Sequence, residues 1–211
     1  MFALAISQQA GLEEARLFGV VGAMLLLLSY FLILVPYIGA FLCLVAWVVA
    51  IVLLVLAFRR ISELYGRPDI FKNVLIWIGL SILASIFVVF VAIIALVVVF
   101  ALFATAGGIE ELTGVGIAAL ALLLLFLIAG WVVFVASAFF FYKATAATAE
   151  VTSNDVFKLA GLAYLAGAVL AVVLIGSLVL FIAEILLVVA FFTLKPTQPQ
   201  PGPSESPAIQ L

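Results

Sequence analysis

The chain has 211 residues, of which 70% are hydrophobic and only 9% are charged, and its formal net charge is −2. A soluble domain carries roughly 25% charged residues, so this composition excludes a soluble globular protein. The chain has no histidine and one cysteine, Cys43, which excludes a zinc site, an iron–sulfur cluster, a histidine-ligated haem and a histidine-assisted nucleophile. We therefore expect no cofactor and no enzymatic activity, and the eight scattered basic residues predict no nucleic-acid partner.

Long apolar runs between short polar clusters predict an all-α, polytopic transmembrane bundle, because a helix needs about 20 residues to cross the hydrocarbon core. Residues 1–16 are mainly polar after a short apolar start, and we interpret them as a cytoplasmic N-terminal segment. The first span is predicted at residues 17–35 and ends before Pro36, which cannot continue the helical hydrogen bonds. The second span is predicted at residues 38–58.

The most polar stretch of the transmembrane domain follows the second span. Gly66 lies where a helix would end, and Pro68 with Asp69 suits the first turn of the next helix. The third apolar run, residues 74–106, would be about 50 Å long as a helix. This exceeds the bilayer core, so the helix must tilt or project beyond it.

The fourth apolar run, residues 115–142, is also long, and Glu110 and Glu111 lie in the turn that precedes it. Ser153 or Asn154 is the predicted N-cap of the last helical region. The transmembrane domain is predicted to cover residues 17–195. The tail, residues 196–211, is rich in proline and polar residues and is predicted to be disordered.

The last apolar region, residues 159–194, is either one long helix or a hairpin of two short spans. With six spans all eight basic residues lie on the inner side, whereas five spans would move Lys195 outside. A weak internal repeat also favours a hairpin. Residues 38–46 and 175–183 both begin with Ile-Gly and a small residue and end with Val-Ala or Ile-Ala at the same spacing. Pro36 marks a turn before the first copy, which suggests a turn before the second. We therefore predict six spans, with five as the alternative, and both termini in the cytoplasm.

Glu184 is the one ionisable residue deep inside an apolar run. A charge at the bilayer centre costs about 2.5–3.5 kcal/mol on insertion scales, so this position is a candidate intramembrane proton or cation site. The alternative is a protonated carboxyl that bonds to a neighbouring side chain or carbonyl. Trp47 occupies the matching position of the repeat, which favours a packing position over a site.

Small residues at helical spacing indicate where helices approach closely. Ala163, Gly167 and Ala171 follow each other at intervals of four residues and are the candidate helix-packing positions. Packing within the bundle is the simpler interpretation, and self-association is the alternative.

Three segments carry a resemblance to a known family: residues 60–73 (RISELYGRPDIFKN), 157–164 (FKLAGLAY) and 190–195 (AFFTLK). From about residue 17 to residue 195 the chain resembles a family of uncharacterised, mainly archaeal integral membrane proteins. The resemblance implies a membrane fold and no catalytic residues. It also implies that relatives carry tryptophan at the position of Glu184, which argues against a role of that carboxylate across the family.

Two functions fit these observations. The leading hypothesis is a non-enzymatic, multi-pass protein of the cell membrane that packs with itself or with other membrane proteins in the lipid bilayer, or organises the membrane. The alternative is a small transporter or channel that uses Glu184 with the hydroxyls of Ser81, Ser85 and Ser137. A cavity that reaches Glu184 would favour the transporter, and a tightly packed bundle would favour the first hypothesis.

Overall fold

A computed structural model of the chain describes residues 2–32, 34–104, 113–173 and 175–195, and the side chains of all of these except 2–8, 101–104 and 113–117. Six α-helices make up most of this part of the chain: α1 Phe2–Leu32, α2 Gly39–Tyr65, α3 Pro68–Ala104, α4 Thr113–Thr152, α5 Asp155–Val169 and α6 Ile175–Phe192. Each helix contains a stretch that is long and apolar enough to cross a membrane. This confirms the prediction of a six-span helical bundle.

The last apolar region is a hairpin. Helix α5 ends at Val169, a short 3₁₀ turn follows at Leu170–Val172, and α6 begins at Ile175. Gly176 lies so close to the backbone of Leu170 that a Cβ atom there would collide with it. Gly176 lies in the first turn of α6. Because it has no side chain, the chain can reverse direction tightly here.

Helix α1 begins much earlier than the first predicted span. It starts at Phe2 and so includes residues 2–16 of the segment that the sequence assigned to a separate N-terminal region. Leu12 and Ala15 are buried in this part of the helix, and Glu14 pairs with Arg60 of α2 at 2.9 Å. The segment is helical because it packs against α2, and its cytoplasmic location stays a prediction.

The turns follow the predicted capping residues. Gly66 ends α2 in the left-handed conformation with φ of 63°, and the N–H of Arg67 donates to the carbonyl of Ser62. Asn154 caps α5 by accepting a hydrogen bond from the N–H of Val156, so the cap is Asn154 and not Ser153.

The six helices form a ring. Each helix packs against its neighbours in the chain, and α6 packs against α1; α2 and α3 make fewer contacts with each other than any other neighbouring pair. Because successive helices alternate in direction, one end of the bundle, here named the charged end, holds all the basic residues: Arg16, Arg59, Arg60, Arg67, Lys72, Lys143, Lys158 and Lys195. The opposite end is named the distal end.

An aromatic core fills the interior of the bundle near its charged end. Phe58, Phe141, Phe157 and Phe191 come from four different helices and are almost fully buried. Their rings meet edge to face, with centroids 5.5 Å apart for Phe58 and Phe191 and 4.9 Å apart for Phe157 and Phe191. This geometry is favourable for aromatic pairs and fixes the helices tightly at this end.

The hairpin of α3 and α4 is longer than the rest of the bundle. The two helices have 37 and 40 residues, whereas α6 has 18. They would measure about 55 and 60 Å at about 1.5 Å per residue. This agrees with the long apolar runs in the sequence. The predicted turn with Glu110 and Glu111 and the predicted disordered tail at 196–211 lie outside the described residues.

A candidate intramembrane site at Glu184

A cavity lies between the aromatic core and the distal end of the bundle. Its volume is about 910 Å³, and every one of the six helices contributes side chains to its wall. Most of these side chains are aliphatic or aromatic, and the polar ones include Tyr30, Ser81, Ser85 and Glu184. A cavity of this size with a few convergent polar groups is typical of sites for small molecules.

Glu184 lies in the wall that α6 contributes and is 7% exposed. One carboxyl oxygen, Oε1, accepts a hydrogen bond from the hydroxyl of Tyr30 on α1 at 3.3 Å. The other, Oε2, is buried and has no hydrogen-bond partner among the described residues. An unpaired polar atom in an apolar environment is costly, and the indole N–H of Trp77, which also lines the cavity, is the other buried side-chain atom without a partner among the described residues.

The two matching positions of the internal repeat lie at the same cavity. Trp47 on α2 and Glu184 on α6 occupy matching positions of the two copies, and both line the cavity. The repeat therefore places two side chains of unlike chemistry at one site. The sequence-based interpretation of a packing position stays a prediction, and Trp47 packs against the hydrophobic core.

Hydrogen bonds connect Ser85, Ser81 and Ser137 at the side of the cavity. Ser137 is fully buried and donates to the carbonyl of Trp77 at 3.0 Å. Ser81 then donates to Ser137, the two oxygens being 2.7 Å apart, and Ser85 donates to the carbonyl of Ser81 at 2.9 Å. Ser81 and Ser85 line the cavity with Glu184, whereas Ser137 is not among the lining residues.

All three tryptophans of the chain, Trp47, Trp77 and Trp131, line the cavity. The indole N–H of Trp131 donates to the carbonyl of Ala168 at 3.1 Å, which ties α4 to the end of α5. Tyr164 also lines the cavity, and its ring lies 4.7 Å from that of Phe141 in the aromatic core. Of these residues, the sequence pointed to Trp47 alone, as a repeat position, and not to Trp77, Trp131 or Tyr164. Tryptophan is enriched at the membrane interfaces of membrane proteins. A tryptophan well inside an apolar run was therefore the sequence signal that could have indicated these positions.

The small-residue stripe has three different environments. Gly167 is buried against α6, where an added Cβ would lie 2.8 Å from Cγ and 2.9 Å from the backbone N of Leu180. Ala163 is half-buried, whereas Ala171 lies beyond the end of α5 in the 3₁₀ turn and lines the cavity. Gly167 is thus the one position of the three where this structure shows a close approach between helices.

Together, the six apolar helices and the cavity define a multi-pass α-helical membrane protein in which Glu184 is buried at the cavity wall. The chain belongs to the family described as "Protein of unknown function (DUF996)", whose model matches residues 47–185 and so includes both Trp47 and Glu184. It is 29% identical over 187 residues to the uncharacterized protein MJ1644 of Methanocaldococcus jannaschii, covering 87% of this chain and 93% of that protein. No solved structure matches the chain. The resemblance to an uncharacterised archaeal membrane family is confirmed.

Proposed function

We propose that this protein is a small, non-enzymatic transporter of the cell membrane that uses Glu184 as an intramembrane proton or cation site. The observation that carries the proposal is the cavity of about 910 Å³, which all six helices line and which Glu184 faces. Intramembrane carboxylates that face a cavity commonly belong to ion pathways and proton relays. This reverses the order of the two sequence-based hypotheses, since a packed bundle would have favoured a packing protein.

The polar groups around Glu184 support a binding site. The hydroxyl of Tyr30 already donates to Oε1, and Oε2 is left to accept from a ligand. Ser81 gives its hydrogen to Ser137, so its oxygen can accept from a bound group. These acceptors suit a proton or a cation.

The non-enzymatic part of the proposal is supported by the residue inventory. The chain has no histidine, and Glu184 is the single carboxylate among the cavity-lining residues that the structure describes. Acid–base catalysis by paired carboxylates needs a second acid in the same site.

The test is a proton-flux assay on the full chain reconstituted in phosphatidylcholine vesicles that enclose a pH-sensitive dye. A potassium diffusion potential drives protons inward through wild type, Glu184→Gln and the matched surface variant Glu63→Gln. We expect wild type and Glu63→Gln to acidify the vesicles faster than empty vesicles do, and Glu184→Gln to match the empty vesicles. Equal rates in wild type and Glu184→Gln would overturn the proposal of proton transport through Glu184.

A second candidate function, assembly with another copy of this chain, is favoured by the distal hairpin, residues 90–100 of α3 and 118–128 of α4. At about 55–60 Å the two helices are much longer than the hydrocarbon core of about 30 Å. Even a tilt of about 40° would leave part of the hairpin outside that core. Many large apolar side chains of the distal hairpin are about half exposed or more, including Ile93, Leu96, Val97, Phe100, Leu122, Leu124, Leu125 and Ile128.

Native mass measurement in mild detergent tests this second function. We expect an oligomer for wild type, and a monomer when Val97 and Leu125 are both replaced by serine, because both side chains are more than half exposed in the distal hairpin. Val132→Ser on α4 is the matched control, since this residue is also exposed but lies outside the distal hairpin. A monomeric wild type would rule out self-assembly through this surface.

A further inference from the structure

We propose that the cavity binds a lipophilic amine, which enters from the bilayer between α2 and α3 and donates an ammonium N–H to Glu184. Its apolar chain then packs among the aliphatic side chains of the cavity. This inference rests on the proposed function and names the class of cation that the site takes.

The head group follows from the charge of the wall. Glu184 is the single carboxylate among the described lining residues, and no lysine or arginine is among them. An anionic head group such as a phosphate or carboxylate would meet a carboxyl group with no basic partner to compensate. An ammonium donates a charge-assisted hydrogen bond, which is roughly twice as strong as a neutral one. Its natural acceptor is the unpartnered Oε2 of Glu184, which is 7% exposed.

The aromatic residues support a cation for a second reason. Trp47, Trp77 and Trp131 are joined in the wall by Phe134 and Tyr164. An aromatic ring attracts a nearby cation through its quadrupole, with tryptophan the most effective, and the attraction increases when the cation is desolvated. Trp77 also packs in the hydrophobic core against Phe141, with ring centroids 4.7 Å apart, so the aromatic wall combines packing with a surface that attracts a cation.

The apolar body and the route of entry follow from one gap in the ring. Helices α2 and α3 make the fewest contacts of any neighbouring pair. Val48 and Val52 of α2 and Ile82 and Val89 of α3 line the cavity, and each is about half exposed; these four residues are named the lateral mouth. A mouth with these apolar side chains, between two helices that span the bilayer, opens toward acyl chains. A ligand that is already dissolved in the membrane can pass it, whereas a small hydrated ion would lose its water there.

The probe is dodecylamine, with dodecanol and dodecanoate as compounds of the same chain length and different head groups. The full chain is placed in phosphatidylcholine nanodiscs, and binding is followed by tryptophan emission, because every tryptophan lines the cavity. We expect saturable binding of dodecylamine and at least about tenfold weaker binding of the other two compounds, from the loss of one charge-assisted hydrogen bond. Equal binding of dodecanoate or dodecanol would overturn the inferred head group.

Glu184→Gln tests the anchoring group, with Glu63→Gln as the matched surface control. We expect Glu184→Gln to weaken dodecylamine binding at least about tenfold and to leave dodecanol unchanged, because an amide keeps the shape but loses the charge. A folded Glu184→Gln protein, checked by circular dichroism and by the retained dodecanol signal, with wild-type affinity for dodecylamine would overturn the inference.

Variants at the lateral mouth test the route of entry. Replacing both Val52 and Ile82 by phenylalanine narrows the mouth without touching Glu184, and Val132→Phe adds the same bulk to an exposed position of α4 outside the cavity. In stopped-flow mixing we expect the mouth variant to associate with dodecylamine several-fold more slowly than wild type and Val132→Phe do. An unchanged association rate would show that the ligand enters from an end of the bundle, which would overturn lateral entry.

The outcomes separate this inference from the proposed function. Proton flux that depends on Glu184, together with no selective binding of dodecylamine, would leave the transporter and remove the amine. Selective, Glu184-dependent binding of dodecylamine with no flux would leave the ligand class and remove transport.

Discussion

Gly167 offers a sharp test of the packing between α5 and α6. An added Cβ would lie 2.8 Å from Cγ and 2.9 Å from the backbone N of Leu180, whereas ordinary contacts of a Cβ begin at 3.4 Å. The leucine side chain can rotate away, but the backbone nitrogen can move only if the two helices separate by about half an ångström. Gly79 on α3 has no atom within 4 Å of the same position and is the matched control.

The two effects of a Gly→Ala change have opposite signs. Overpacking costs about 1–3 kcal/mol, and alanine gains up to about 1 kcal/mol over glycine in a helix. We therefore expect Gly167→Ala to destabilise the protein by about 1–2 kcal/mol, and Gly167→Leu by more, because its additional atoms meet the same backbone. Gly79→Ala should be neutral or slightly stabilising.

The assay is thermal unfolding in mild detergent, followed by circular dichroism, at one protein and detergent concentration. By the scale of soluble proteins of this size, 1 kcal/mol corresponds to a change in Tm of about 2–4 °C. We expect the order Gly79→Ala at or above wild type, then Gly167→Ala, then Gly167→Leu. A Gly167→Ala protein that melts with Gly79→Ala would show that α5 and α6 do not approach at this point.

Further predictions concern insertion, topology and the turn after α2. Glu184→Gln should fold like wild type, whereas Glu184→Lys should insert poorly, because a fixed positive charge there has no acidic partner; membrane yield measures both. With Cys43 replaced by alanine, a cysteine at Glu63 should react with an impermeant thiol reagent from the cytoplasmic side, and one at Tyr37 from outside; the reverse pattern would contradict the positive-inside assignment. Gly66→Ala should cost about 1–2 kcal/mol in unfolding, since its φ is 63°; unchanged melting would show that the turn rearranges.

The fold was largely predictable because few physical rules govern it. Apolar length predicted the spans, the charge distribution favoured six over five, and Gly66 marked the end of α2 as expected. The helix ends were less predictable. Residues 1–16 are too polar to resemble a span, yet α1 includes residues 2–16, and Leu12 and Ala15 are buried in the bundle.

The site was predictable only in part. Glu184 could be selected because a carboxylate in an apolar run is rare and costly. Its environment could not be derived, since the sequence does not state which helices close the ring or which faces meet. The link between Tyr30 and Glu184 joins residues 154 positions apart, and it exists only because α6 returns to pack against α1. Trp77 and Trp131 were missed for the same reason, and Trp47 was selected as a repeat position without its place in the cavity wall.

The central claim is that Glu184 lies in a cavity that small molecules reach from the bilayer. The most direct measurement is modification of the protein in phosphatidylcholine nanodiscs by dicyclohexylcarbodiimide, a lipophilic reagent for protonated carboxyl groups, compared with a water-soluble carbodiimide and followed by peptide mass spectrometry. We expect the lipophilic reagent to modify Glu184 at a rate that falls when Ser85→Phe narrows the cavity, and the water-soluble reagent to leave Glu184 unmodified. An unreactive Glu184 in the wild-type protein, or a rate that Ser85→Phe does not change, would contradict the account.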